Sequence, residues 1–473
     1  GAGGKQVDFV ASGTIGNGVT VVLNSNGTVS VVGISAQSVG TPAVFNTGSV
    51  NYTSTTFDAA AGKVVIAYRD QGNSSYGTAV VGTVSGTTIT FGTEVVFESA
   101  GTSYISSTFD SASGKIVIAY ADDGNVDRGT AIVGTVSGTS ISFGSPVVFE
   151  SGTTTDISST FDSVAGKVVI AYTAVSSSAY GATVVGTVSG TSISFGSVVF
   201  FAYAGSTWIS ATFNSASGKV VIAYRDGDNT NDGTAIVGTV SGTSISFGTE
   251  VVFESSAASY ISITSDSSSN KVFIAYAKND AGFDDSGTVV VGTVSGTTIS
   301  FGSPVVFNSP KTAAISCTFD SVGGKVVIAY KEDAVTDYGT VIVGTVSGTT
   351  ISFGSSVVFE SAITLAISTA FDTATGKVVI AYRDLGNSSY GTSVVFSPPA
   401  SNNTSFIGIT DAAISDTATG SVTIKGGIST NVTGLTPNTD YYVQADGTLS
   451  TTTSTVLAGK ALSATSINLD YTT

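Results

Sequence analysis

Hydrophobic and polar positions along the chain fall into short apolar runs bounded by Gly, Ser, Thr, Asn and Asp, and the runs recur. The clearest is Gly-Lys-Val-Val-Ile-Ala-Tyr, at Gly62–Tyr68, Gly166–Tyr172, Gly218–Tyr224, Gly324–Tyr330 and Gly376–Tyr382, with variants at Gly114–Tyr120 and Asn270–Tyr276. The lysines of these seven copies (Lys63, Lys115, Lys167, Lys219, Lys271, Lys325, Lys377) are 52 residues apart, with one step of 54. A second phrase, Gly-Thr-Val-Ser-Gly-Thr-x-Ile-x-Phe-Gly, follows each of the first six. A fixed period of this size marks a repeat architecture.

One unit, from Tyr104 to Ser151, reads as four strands: Ile105–Asp110, Lys115–Tyr120, Thr130–Val136 and Ser140–Glu150. Ser137-Gly138 supplies a hairpin turn. Gly144-Ser145-Pro146 marks a bend in the last strand, whose proline suits an edge. The second and third strands are almost continuously apolar, which predicts that both of their faces are covered. Four-stranded sheets packed face to face around an axis meet that demand, so the pattern predicts an all-β, seven-bladed β-propeller. The last unit, Ala366–Ser397, lacks its outer strand, and Val19–Thr47 reads as the missing half. The expected division is therefore a lead-in at 1–16 and a propeller at 17–397, with 17–47 completing the blade of 366–397. A Pro-Pro linker at 398–405 and a small C-terminal β domain at 406–473 follow.

Composition narrows the chemistry. Charged residues make up only 11% of the 473, and the net charge is −16. That disfavours nucleic acid, which needs clustered Lys and Arg, and anionic lipid. No run is long and apolar enough for membrane insertion. With no histidine, Ser-His-Asp and Cys-His catalysis and histidine zinc sites are excluded. The single Cys317 cannot form an internal disulfide and stands where other repeats carry Ser or Ala, which reads as a small buried residue. The sequence opens on Gly1 and contains no Met, so the expectation is that a segment once preceded it.

Gly434–Thr451, Ala458–Thr465, and the lead-in pieces Val7–Gly13 and Val21–Gly27 resemble segments of tailed-phage tail-fibre and head-fibre proteins. The repeats are similar to propeller arrays in predicted fibre proteins of marine phages. The resemblance implies a non-enzymatic virion surface protein that attaches to a host receptor or glycan or decorates the particle. It also implies other virion proteins as partners and a homo-oligomer, of which a trimer is the form such fibres often take. A secreted or surface-anchored bacterial adhesin or lectin is the alternative, and a polysaccharide-degrading enzyme the third reading.

Candidate binding residues come from one position, six before the aspartate of Phe-Asp or its replacement: Tyr52, Tyr104, Asp156, Trp208, Tyr260, Ala314 and Ala366. All should sit where a loop from the outer strand enters the inner strand, near the axial mouth. Aromatics there either stack on sugar rings or simply plug the mouth. The loops between second and third strands, among them Arg69–Tyr76, Ala277–Ser286 and Lys331–Tyr338, share that face and vary between repeats. This is how a binding surface on a rigid frame, or neutral drift, would look. Asp226, Asp228 and Asp232 have the alternate oxygen spacing that Ca²⁺ takes, without a full EF-hand pattern, so a solvated acidic loop competes with that reading. Arg69, Arg225 and Arg383 occupy one repeat position but should not converge as a sialidase triad would. The recurring aspartates (Asp58, Asp110, Asp162, Asp320, Asp372) should hold their own turns and pair with the seven lysines.

Overall fold

The repeat phrase becomes strand in every copy. In the computed structural model, which describes residues 5–203, 205–279, 285–333 and 337–469, each unit is an antiparallel run of inner, second, third and outer strands. Lys115–Asp122 pairs with both Val95–Asp110 and Arg128–Ser137, and the latter with Ser140–Phe143 and Val147–Asp162. The second strands are as enclosed as their apolar runs require: Val64 to Tyr68 are all 0% exposed. The pairing returns on itself, since the last third strand, Tyr390–Ser397, takes Ser38–Val39 and Ala43–Asp58 as its outer partners. Gly144-Ser145-Pro146 splits the outer strand as the sequence suggests. The fold is all-β and propeller-like.

Two sets of contacts tie unit to unit. The first is a cycle of hydrogen bonds among the inner strands. Four residues before each Phe-Asp aspartate, or its replacement, stands a serine: Ser54, Ser106, Ser158, Ser210, Ser262, Ser316 and Ser368. Each hydroxyl accepts the backbone N–H of the neighbouring unit, from Ser107, Ser159, Ala211, Ile263, Cys317, Thr369 and Thr55 in turn, at 2.7–3.1 Å. The seventh bond, Thr55 to Ser368, joins the first unit to the last. Cys317 therefore sits in this cycle, buried, with its Sγ 3.3 Å from the Ser262 carbonyl oxygen; burial pushes its thiol up to about 12.

The second set is aromatic. The phenylalanine of each outer strand meets the tyrosine that ends the next unit's second strand, from Phe45–Tyr68 to Phe359–Tyr382, with ring centroids 5.1–5.3 Å apart. Such pairs contribute about 0.5–1.5 kcal/mol each beyond their buried area. Each phenylalanine also presses on a glycine that opens the third strand. A Cβ on Gly129 would lie 2.4 Å from the Phe149 ring, so the glycine is required for the ring to seat.

The aspartates hold the hairpin turns as expected. Asp110 Oδ1 accepts the N–H groups of Ala112 and Ser113, and Asp372 those of Ala374 and Thr375. The lysines stand opposite them in register, but among the described residues their side chains form no ion pair with these carboxylates. Lys63, Lys115, Lys219, Lys271 and Lys325 reach across the sheet to third-strand threonines, with Nζ 2.6–3.0 Å from Thr83, Thr135, Thr239, Thr293 and Thr345. The aspartate carboxyls are already occupied by their own turns.

The expected boundary at 17 is corrected. Residues 1–37 and 399–473 form one unit and 38–398 the other. Thr20–Leu23 and Val29–Val31 pair with each other and, through Thr20–Leu23, with Phe406–Thr410, while Gln6–Val10 pairs with Thr419–Ile424. The lead-in, the first hairpin and the C-terminal segment thus share a unit of two five-stranded sheets. Only residues 38 onward close the repeat array. Within the smaller unit two hairpins are copies of one design. Gly27 N–H donates to Asn24 O and Asn24 N–H to Thr28 O; Gly447 N–H donates to Gln444 O and Gln444 N–H to Thr448 O.

Ser368→Ala should cost about 1–3 kcal/mol, the penalty of leaving a buried N–H unpaired, whereas Ser111→Ala on an exposed turn should be near neutral. Urea unfolding of the two variants checks this; equal midpoints would refute a structural role for the serine cycle.

Candidate functional site

The seven positions six before the Phe-Asp aspartate share a backbone state that the sequence did not announce. Tyr52, Tyr104, Asp156, Trp208, Tyr260, Ala314 and Ala366 all have φ between 48° and 53°. Left-handed backbone is uncommon for residues other than Gly, Asn and Asp. Its cause is a bulge. In the second unit Ser103 pairs with Ala121 and Ser106 with Ala119, so Tyr104 and Ile105 together oppose one residue, Tyr120. The same shift recurs in all seven units. A bulge bends a strand and re-aims its side chains. Here it replaces the expected loop: the outer strand of one unit runs directly into the inner strand of the next, as in Val95–Asp110. In one junction, between Val199–Ala202 and Ser206–Asn214, the strand is interrupted.

All seven side chains are half-buried. Tyr52 and Tyr104 form one ring pair, 5.3 Å between centroids, and Trp208 and Tyr260 another at 4.5 Å. Asp156, from the unit between the pairs, accepts the Trp208 backbone N–H at 2.8 Å. Tyr52, Tyr104, Asp156 and Trp208 line one cavity of about 740 Å³, joined by Thr207, Arg225 and Asn231. Ala314 and Ala366 give the opposite side of the ring small side chains. The mouth is thus asymmetric on a frame that is not. Its aromatic residues also rest against the cores between units, so packing and presentation to the cavity go together.

Burial holds the Asp156 carboxyl above its ordinary value, against the lowering effect of the bonds from the Trp208 N–H and the Thr155 side chain. Burial also raises the Tyr104 hydroxyl, helped by the Asp156 charge. Toward the rim the buried tyrosines meet acids: Tyr120, Tyr172, Tyr276 and Tyr382 donate to Glu98, Glu150, Glu254 and Glu360 at 3.0–3.1 Å.

The other expectations for this face resolve differently. Asp226 and Asp232 face each other across a hairpin, but Asp226 Oδ1 accepts the Asp228 N–H and Asp232 Oδ1 the Thr230 hydroxyl. Among the described residues no three His, Cys, Asp or Glu side chains come together to hold a metal ion, these three included. Arg69 is paired with Asp123 at 3.0 Å and Arg383 donates to Ser389, while Arg225 lines the cavity, so the arginines stay in separate roles. The variable loops Ala277–Ser286 and Lys331–Tyr338 fall partly outside the described residues. Arg225 and Asn231 belong to Arg225–Asp232, one of the variable loops expected on this face, and both line the cavity.

Asp156→Asn keeps an acceptor for the Trp208 N–H and removes the ionisation. The folded carboxyl titrates above its unfolded value, so its contribution favours the fold below the ordinary value of 3.8 and is lost as pH rises through the folded value. The variant should therefore gain stability over the parent at pH 7, and the gain should shrink to a constant as pH falls below 3.8. Denaturant midpoints across this range check it; a pH-independent difference would refute it.

No family model matches the sequence, and no curated protein matches it. Among solved structures, the BP39L lectin from Burkholderia pseudomallei superposes on 76% of this chain and 99% of its own, at 9% identity and a TM-score of 0.52. AofleA from Arthrobotrys oligospora covers 73% of this chain and 96% of its own, at 8% identity and 0.41. The leech intramolecular trans-sialidase covers 75% and 69%, at 8% identity and 0.42. The last two superpositions are too loose to bear on the argument; the first is a likeness of fold, shared with a lectin.

Proposed function

We propose that residues 38–398 form a seven-bladed β-propeller that binds a glycan, without hydrolysing it, at the mouth carrying Tyr52, Tyr104, Asp156, Trp208 and Tyr260. The observation that carries this reading is the convergence of half-buried aromatic rings, one carboxyl and one guanidinium on a single cavity of about 740 Å³. Aromatic side chains offer a flat apolar face with a polar handle, and Asp156, Arg225 and Asn231 supply the directional hydrogen bonds that fix a polar ligand in a largely apolar cleft. Use of the same fold by a lectin supports carbohydrate as the ligand class. Binding is favoured over glycoside hydrolysis because the usual mechanism needs two carboxyl groups facing one bond, and Asp156 is the single carboxylate among the described residues lining the cavity.

The protein's setting, on this reading, is the surface of a phage particle, where the mouth would engage a host glycan. Support comes from the smaller unit. The N-terminal and C-terminal segments that resemble phage fibre proteins lie far apart in sequence yet build one pair of sheets, as a dedicated attachment module would.

Trp208→Ala and Tyr104→Ala should each weaken binding to a glycan-array ligand of the parent protein by roughly tenfold, the equivalent of about 1–1.5 kcal/mol for a lost ring contact. Undiminished binding in both would overturn the mouth as the site. Mass spectrometry of purified virions checks the setting: detection of this chain as a stoichiometric component is expected, and recovery only from bacterial surfaces would favour an adhesin.

A further inference from the structure

The third unit departs from the other six along its outer strand. Where the others carry an outward valine, as at Val96 and Val148 (42% and 43% exposed), it carries Phe200. Where they carry Ser or Thr, as at Ser99 and Ser151, it carries Tyr203, which is 70% exposed. It also has Ala202 in place of the acid or amide found at Glu98 or Asn46. One outer strand has therefore exchanged a polar edge for two rings and lost a charge. Tyr180, which opens the third strand of the same unit, completes the cluster. Its ring lies 5.7 Å from Phe200 and 5.5 Å from Tyr203, nearly perpendicular to both, and Phe200 and Tyr203 are 6.1 Å apart. Tyr76, Tyr338 and Tyr390 repeat the Tyr180 position, but their outer strands offer Val96, Val358 and Val44 in place of Phe200.

The cluster lies within chain reach of the mouth. Tyr203 stands five residues before Trp208, a span of at most about 17 Å of extended chain. Gly205 and Thr207, between them, line the cavity. Tyr180 lies at the same end of its sheet, since third strands begin where second strands leave the hairpin on the mouth face. Exposed aromatic groups on a polar surface mark interaction sites; here Tyr203 is exposed with Phe200 and Tyr180 half-buried beside it, within chain reach of the cleft read as a glycan site.

We infer that Tyr180, Phe200 and Tyr203 form a second contact platform for the same ligand, so that the ligand is an extended, predominantly neutral oligosaccharide or polysaccharide running from the axial mouth outward over the third unit. The inference rests on the proposed glycan function. Neutrality follows from the exchange of an acid for Ala202 and from the chain's net charge of −16, which repels a polyanion.

The test is a Phe200→Val, Tyr203→Ser double variant, which installs the residues of the sister repeats and so preserves the fold. It is compared with Trp208→Ala and the parent on an array of defined neutral glycans from one to ten sugars. The expected result is that the double variant loses about tenfold in affinity for chains of four or more sugars and keeps parental binding to mono- and disaccharides, while Trp208→Ala weakens both. Parental affinity of the double variant for every chain length overturns the platform. So does equal loss for short and long ligands, or loss of binding only to an isolated host envelope protein. Failure of the parent to bind any glycan overturns the proposed function, and the platform with it.

Discussion

The fold depends on closing a ring from units that differ little, and the serine cycle is where closure is enforced. Seven backbone N–H groups lie at the crowded inner edge, where the inner strands meet one another and not a further sheet strand. Each must find an acceptor or lose about 1–3 kcal/mol. The serine hydroxyl one unit away provides it, and the set is satisfied only if the last unit reaches the first, as the Thr55–Ser368 bond does at 2.7 Å. The tilted Phe–Tyr pairs follow the same logic. Each unit supplies a phenylalanine to one neighbour and a tyrosine to the other, so an open array would leave one ring of each kind in water.

Much of this was legible in the sequence because period and burial are coupled. Continuous Val-Val-Ile-Ala-Tyr runs cannot be half-exposed, and seven such runs require mutual covering. The domain boundary was not legible. Val19–Val31 and a repeat's third-to-outer hairpin have the same local grammar of apolar strand, Gly turn and apolar strand; only the partner distinguishes them, and pairing with Phe406–Thr410 is a contact across nearly the whole chain. The mouth residues were found from their shared register. The bulge that aims them was hidden, because a left-handed Tyr or Trp has no residue signature of the kind glycine gives. The lysines were misassigned because charge suggested carboxylates as partners, while turn geometry had already used those carboxylates.

The face that carries the mouth also shows how a repeat protein tolerates change beside its fixed parts. Adjacent positions vary together in chemistry. Glu254 faces Lys278 at 3.4 Å, whereas Asn46 donates to Asp70 at 3.1 Å. Where two acids remain close, as Glu360 with Asp384, burial and then the neighbouring charge raise the Glu360 carboxyl. Each pairing is a separate local solution to burying polar groups next to an invariant tyrosine.

Such local solutions leave the frame unchanged, and that separates scaffold from recognition in physical terms. A residue repeated in every unit answers a demand that every unit shares: a turn, a ring contact, an unpaired N–H. A residue that breaks the repeat without disturbing the ring answers no such demand. Trp208 beside Asp156, Ala314 and Ala366 in the same bulge, and Phe200 with Tyr203 on one outer strand are departures of this second kind. They are grouped, with the aromatic side of the mouth and the aromatic outer strand adjoining across the third and fourth units. Random drift on equivalent surfaces would scatter rings among seven units. The mouth rings fall in the first, second, fourth and fifth units and the outer-strand rings in the third, so these departures form one continuous arc, while Ala314 and Ala366 leave the remainder of the mouth without rings.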